Sequence, residues 1–255
     1  MSTVELPFRV DGAADAPPLV LSNSLGSTSE MWEPQIPALA QRFRVIRYDH
    51  RGHGDAPVPP EPYELDDLGG DVVALLDRLG VERTDFAGLS LGGMVGMWLG
   101  INAPERIGRL VLLCTSPMLS REHDWALRAR TVREQGTAGV AEGVVDRWFT
   151  PAYADANREV VARMRAMVTE TPAEGYAACC GAIERMDLVP QLGSIRAPTL
   201  VIAGTDDPAT PPAHAEIIAE HIPGCRMELV PAAHLANYER PVEVTRLMLS
   251  HLEAT

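Results

Sequence analysis

The sequence contains no lysine. All 22 of its basic residues are arginines, and 35 carboxylates outnumber them, leaving a formal net charge of −13. That deficit of positive charge excludes a global attraction to nucleic acid or to an anionic membrane surface. It does not exclude a small anionic ligand, because one local arginine outweighs a diffuse average. Cysteine is also scarce. Cys114, Cys179, Cys180 and Cys225 form neither a CxxC pair nor a regular framework, so buried, reduced thiols are expected. No run is long and apolar enough to span a bilayer, and no basic stretch leading into an apolar one opens the chain. The expectation is a cytoplasmic protein, and there is no internal repeat or low-complexity tract.

What is present is an ordinary globular composition, 46% hydrophobic and 22% charged over 255 residues. That length supports one large core with room for a smaller attached domain. Short apolar runs alternate with helical periodicity. LVLS (19–22), FRVIRYD (43–49), TDFAG (84–88), IGRLVLLCTS (107–116), APTLVIAGTDD (197–207) and CRMELVPAA (225–233) read as strands leading into polar loops. Between and after them, 66–80, 92–104, 212–222 and 241–254 carry helical spacing; Leu68, Val72, Leu75, Leu76 and Leu79 mark the first of these, with Gly80 as its stop. Near-continuous apolar strands alternating with helices predict an α/β fold with a mostly parallel sheet covered on both faces. Residues 120–190 break this pattern, since every segment there favours helix. The expected organisation is a core of residues 1–119 and 191–255, with 120–190 inserted as a helical cap over the strand ends.

One stretch carries chemistry. In FAGLSLGGM (86–94), Ser90 sits in a Gly88-x-Ser90-x-Gly92 motif between a strand and a helix. A serine on a sharp strand-to-helix turn needs small residues two positions away on either side, because the backbones crowd there. The turn exposes Oγ, and the first amides of the following helix face developing negative charge. Such a serine needs a base, and the base an orienting acid, later in the chain. His234, in PAAHLANYERP, lies on a loop after a strand. His214, His221 and His251 lie on predicted helices, His123 opens the insert, and His50 and His53 precede the serine, so all six are weaker candidates. For the acid, Asp206 and Asp207 share one loop and spacing does not separate them. Leu91 N–H follows the nucleophile and is one expected oxyanion donor; Leu25, in the tight loop SNSLGSTSEMW, is the other.

These features resemble the α/β-hydrolases across essentially the whole chain, with YDHRGHGDA (48–56) and GTDDPATP (204–211) as further landmarks. More narrowly, LSNSLGSTSEMW, AGLSLGGMVGMWLG, TVREQG, DRWFTPAY, AGTDDPATPP and AAHLANYERP resemble the 3-oxoadipate enol-lactonases of aromatic catabolism. The resemblance implies a helical cap inserted in an α/β-hydrolase fold. It also selects Asp207, three residues after Gly204, as the acid. It then implies a catalytic triad of Ser90, Asp207 and His234 with oxyanion donors Leu25 and Leu91, and no metal or organic cofactor. Many relatives in the wider superfamily carry His-Gly where this chain has Asn23-Ser24, and serine where it has Ala56. The first departure is shared with the enol-lactonases; the second touches a structural position.

The implied substrate is a small lactone with a free carboxylate, which a buried pocket accepts only if a cation or several donors meet it. The insert holds nine arginines. Arg133, in TVREQG, is the leading partner for that carboxylate. Arg147 is adjacent to Trp148, and the sequence leaves open whether the two share a face. Trp148, and less strongly Trp125, are expected to wall the pocket, while Trp32 and Met94 pack around the elbow and early loop. Three alternatives remain: a different ester or carbon–carbon bond cleaved by the same triad, perhydrolysis as a side activity, and a non-catalytic ligand sensor. The last is favoured if Ser90 and His234 lie too far apart to hydrogen-bond. Oligomeric state is left open.

Overall fold

The computed structural model describes residues 3–119 and 124–254. Seven strands form one sheet: β1 (Phe8–Asp11), β2 (Pro18–Ser22), β3 (Arg44–Tyr48), β4 (Thr84–Leu89), β5 (Ile107–Leu113), β6 (Thr199–Gly204) and β7 (Arg226–Val230). Their spatial order is β1-β3-β2-β4-β5-β6-β7. Only β1 runs antiparallel; every other neighbouring pair is parallel. The burial explains which strands were readable. β6 is buried at every position and β2, β4 and β5 nearly so, giving continuous apolar runs. β1 is an edge strand with Phe8 and Val10 largely exposed, and it carries no such signal.

The core helices are α1 (Ile36–Leu39), α2 (Leu65–Arg78) and α3 (Leu91–Asn102). α2 begins on a reciprocal cap in which Glu64 and Asp67 each take the other's backbone N–H. Its apolar face, Leu68, Val72, Leu75 and Leu76, is buried. α3 is apolar all round because Leu91 through Gly100 are buried without a break. Between β5 and β6 the described residues are helical: α4 (Trp125–Gln135), α5 (Ala138–Val145), α6 (Pro151–Ala156), α7 (Arg158–Glu170) and α8 (Ala173–Arg185). After β6 come α9 (Pro212–His221), α10 (Ala236–Glu239) and α11 (Pro241–Leu252). No helix among the described residues is long and apolar enough to cross a membrane.

The topology fixes where a ligand can sit. From β2 the chain moves to β3 on one side, then crosses to β4 on the other. The loops after β2 and β4 therefore diverge at the switch point, where parallel sheets open a crevice beyond the strand C-termini. The helical insert and the loops after β6 and β7 reach the same edge.

The YDHRGHGDA segment braces this crevice from behind. Arg51 grips Asp71 of α2 through Nε at 2.7 Å and Nη2 at 2.8 Å. Gly26 N–H donates to His53 Nε2 at 2.9 Å, so Nδ1 carries the ring proton and donates to Arg51 O at 3.2 Å. His50 Nε2–H donates to Asn23 O at 3.1 Å. Both rings are buried. Burial pushes the His50 imidazole down to about 3 and His53 down to about 4. Below the ordinary histidine pKa of about 6.5 the unfolded chain takes up protons that the folded chain refuses, so stability held above that pH is lost as pH falls. For His53 alone the loss by pH 4 is on the order of 3 kcal/mol. Urea midpoints measured from pH 7 to 4 are expected to fall steeply below 6.5, with a shallower fall in His53→Gln. A flat profile would mean that the rings are solvated.

Candidate active site

Ser90 lies between β4 and α3 with φ 57° and ψ −116°, a conformation that costs a non-glycine residue about 1–3 kcal/mol. The turn is held by Ser90 N–H to Leu113 O at 2.9 Å, and by Thr115 Oγ1 donating to Ser90 O at 2.6 Å. The two motif glycines are steric necessities. A Cβ on Gly88 would collide with the Gly92 carbonyl, and one on Gly92 with the backbone of Ser22 in β2. Gly92 N–H also donates to Asn23 O at 2.9 Å, tying the serine turn to the loop after β2.

That loop is held peptide by peptide. Ser24 N–H donates to Met31 Sδ at 3.2 Å. Ser24 O accepts from Ser27 Oγ at 2.7 Å and from Ser27 N–H at 3.2 Å. In a trans peptide the N–H points opposite to the C=O, so anchoring Ser24 O aims Leu25 N–H the other way. Leu25 and Ser24 both line the cavity that Ser90 faces. Among the described residues neither Leu25 N–H nor Leu91 N–H has an acceptor. This is the disposition an oxyanion hole requires.

Asp207 and His234 arrive on the loops after β6 and β7. His234 Nδ1 donates to Asp207 Oδ2 at 2.8 Å, and both side chains are buried. Asp207 also accepts from Ala209 N–H at 2.8 Å, Thr210 N–H at 3.1 Å and Thr210 Oγ1 at 2.8 Å. Burial alone would raise its pKa; the His234 charge, the bond to that ring and the Thr210 donors outweigh burial and hold the carboxyl below its usual range. Asp206, its rival in the sequence, is exposed and takes only the Thr205 hydroxyl. Buried beneath this loop, the Cys114 thiol is pushed well up by desolvation and then by Asp207, so it stays protonated. Cys179 and Cys180 are buried as expected, but Cys225 is half-exposed.

His234 and Ser90 line the same cavity. No hydrogen bond joins Ser90 Oγ to His234 among the described residues, so the direct contact expected from sequence is absent. Catalytic contacts in free enzymes are often long and close only around the reacting ligand. The rival histidines lie elsewhere. His214 bonds Ser116 Oγ at 2.6 Å, His221 bonds Ile217 O, and His251 bonds Pro198 O. His123 lies outside the described residues. No group of three or more His, Cys, Asp or Glu side chains able to hold a metal occurs among the described residues.

The cap side of the cavity corrects the arginine expectation. Arg133 does not line it: its guanidinium pairs with Glu61 and, at 3.3 Å, with Glu174, strapping α4 to the 61–64 loop and to α8. Arg128 and Arg147 line it instead, and Arg147 lines it together with its neighbour Trp148, which settles the facing that the sequence left open. The helical period explains the error. Arg128 is three residues from Trp125 and shares its face, whereas Arg133 is a further five residues on and turns away. Trp125 and Trp148 both line the cavity, as does Met94, which was expected only to pack at the elbow. The Arg128 guanidinium lies over the Trp125 and Tyr176 rings and bonds Tyr176 OH, while its buried Nε has no partner. No described carboxylate pairs with Arg128 or Arg147. Burial lowers the Arg147 pKa, and the Arg128 charge lowers it further.

The loop geometry generates a prediction. Ser27→Ala removes the shorter bond to Ser24 O but leaves every lining side chain in place. On phenyl acetate it is expected to lower kcat about tenfold at constant KM, short of the roughly 100- to 1,000-fold loss for deleting an oxyanion donor itself. Unchanged kcat would show that the Ser27 N–H alone fixes the peptide.

Residues 17–241 match the alpha/beta hydrolase fold family. The chain is 41% identical over 238 residues to 3-oxoadipate enol-lactonase 2 of Acinetobacter baylyi, covering 93% of this chain and 89% of that one. Among solved structures it superposes on the enol-lactonase from Burkholderia xenovorans LB400 with TM-score 0.96 and 40% identity, over 98% of this chain and 96% of that one. A thermophilic esterase from Thermogutta terrifontis, solved with malate bound, is similar at TM-score 0.92 and 29% identity, over 98% and 93% of the two chains. The chain belongs to the α/β-hydrolase family and is closely related to the 3-oxoadipate enol-lactonases.

Proposed function

We propose that the chain hydrolyses 3-oxoadipate enol-lactone to 3-oxoadipate, with Ser90 as nucleophile, His234 as base, Asp207 as its orienting acid, and the Leu25 and Leu91 amides as the oxyanion hole. The observation that carries the substrate is the Arg128–Arg147 pair, two guanidinium groups with no salt bridge to a carboxylate among the described residues, in the same cavity as Ser90 and His234. Two like charges held together in a partly buried site are unfavourable until an anion joins them. A ligand with a carboxylate at one end and an electrophilic carbonyl at the other supplies that anion and spans the cavity. The Thermogutta esterase, whose bound malate is a small dicarboxylate, supports the same class of ligand.

The steps follow from the placement. Ser90 Oγ attacks the lactone carbonyl as His234 Nε2 takes its proton, and Asp207 stabilises the imidazolium. The oxyanion rests on the Leu25 and Leu91 N–H groups. Collapse breaks the ring C–O bond and expels an enolate, which takes the proton held by His234 and becomes the ketone, leaving the imidazole neutral again. Water, deprotonated by His234, then attacks the acyl-enzyme; the bond to Ser90 Oγ breaks as His234 returns the proton to it, and the released product carries one new carboxylate. Trp125 and Trp148 wall the planar ring. In this reading residues 120–190 are the cap on a core of 1–119 and 191–255. Free cysteines fit a reducing cytoplasm.

Purified protein added to the enol-lactone is expected to abolish its ultraviolet absorbance rapidly, and Ser90→Ala to stop this. Ser90-dependent cleavage of phenyl acetate without loss of the lactone would leave a carboxylic-ester hydrolase acting on another small acid. Arg147→Met is expected to raise KM for the lactone roughly 10- to 100-fold, the worth of a charged hydrogen bond, with phenyl acetate kinetics unchanged. The same variant is expected to raise Tm, because it removes one of two like charges from a partly buried site.

A further inference from the structure

Glu239 ends α10, directly after the His234 loop, and its carboxylate is buried. Oε1 accepts from Thr150 N–H at 2.7 Å and from Ala233 N–H at 3.1 Å, and Oε2 accepts from Thr150 Oγ1 at 2.8 Å. Thr150 belongs to the helical insert, where it caps α6. On the other side of His234, Leu235 N–H donates to Trp148 O at 2.9 Å. The residues flanking His234 are thus both fastened to segment 147–150, one through Glu239 and one directly. That segment also turns Arg147 and Trp148 into the cavity.

We propose that Glu239 is a positioning residue that locks the His234 loop to the arginine-bearing segment of the cap, so that the base and the carboxylate grip keep one fixed separation. This rests on His234 being the base. A carboxylate suits the task because it accepts all three donors with charge-assisted bonds. Removing it leaves buried backbone N–H groups of both segments unpaired and frees the loop. A shift of about 1 Å in a catalytic group costs on the order of 100-fold in rate. Glutamine preserves much of the lock, since its Oε1 serves both backbone amides and its NH2 group can meet the Thr150 hydroxyl as acceptor.

The test uses the full chain and phenyl acetate, so that it stands apart from the lactone assignment. Glu239→Ala is expected to lower kcat at least tenfold per folded molecule at 25 °C, with KM within threefold, and Glu239→Gln to recover most of the loss. Thr150→Val, which removes the hydroxyl bond to Glu239 and the 3.4 Å cap bond from Tyr153 N–H but leaves both backbone bonds to Glu239, is expected to lower kcat severalfold, with Thr150→Ser restoring it; this pair decides the matter if Glu239→Ala does not fold. The low-field Nδ1–H proton resonance of His234 is expected to shift or broaden in Glu239→Ala and Thr150→Val. A fall in Tm with kcat and that resonance unchanged would overturn the proposal and leave Glu239 a purely structural anchor. His234→Ala serves as control: if it retains activity, the assignment of the base fails instead.

Discussion

The site depends on how closely α3 approaches β2. Gly92 has no side chain, so its backbone packs against Ser22 and its N–H reaches Asn23 O at 2.9 Å. That single contact joins the serine turn to the loop carrying Leu25. Without it the two prospective oxyanion amides would sit on independent loops, each with its own freedom. With it, the strained φ of Ser90 becomes affordable, because the turn is over-determined by bonds to Leu113, Thr115 and Asn23. Three strand ends thereby act as one rigid element, as preorganised electrostatic stabilisation requires.

Around this element lies a second ring of constraints that carry no chemistry. Arg51 clamps the 50–54 loop to α2, and His53 in turn receives Gly26 N–H. Met31 and Ser27 hold the N–H and the C=O of Ser24, on either side of the residue before Leu25. The stretch YDHRGHGDA is therefore a brace for the early loop, which explains how a segment remote from the nucleophile serves as a landmark of this architecture. Its two histidines act only as neutral rings, since burial keeps both below the pH at which a free imidazole charges.

Much of this was legible in the sequence because it is dictated by local chemistry. Apolar runs announce buried parallel strands, and a glycine-flanked serine between strand and helix has few other physical explanations. β1 was not legible, because an exposed edge strand needs no apolar signal. The choice between Asp206 and Asp207 was not legible from spacing alone; it turns on which carboxylate faces inward, a property of the loop after β6. The cap was the least readable part. Nine arginines sit on helices whose faces are set by packing against one another, and only the Trp125–Arg128 spacing held a clue. Arg133 failed as a ligand group because Glu61 and Glu174 already occupy it. Glu239 gave no signal at all, for its three partners come from residues up to 89 positions away.

The cap also resolves an electrostatic tension. A chain of net charge −13 repels an anion at long range, yet the substrate proposed for its cavity is one. The two effects act over different distances. In physiological salt the Debye length is about 8 Å, so carboxylates scattered over the surface are largely screened from the cavity. Inside it, Arg128 and Arg147 share a lining with Trp125 and Trp148, where charge is screened less than at the surface. The triad carboxylate, Asp207, is engaged by His234 and Thr210 behind the base. The cavity is therefore polarised, cationic under the cap and acidic behind the base. Such a field orients an asymmetric ligand before any bond is broken, with its carboxylate toward the cap and its electrophilic carbonyl toward Ser90. In the proposed reaction the distance between those two poles is a condition of turnover, and the 147–150 segment, which carries Arg147 and is fastened to the His234 loop, is the part of the fold that would set it.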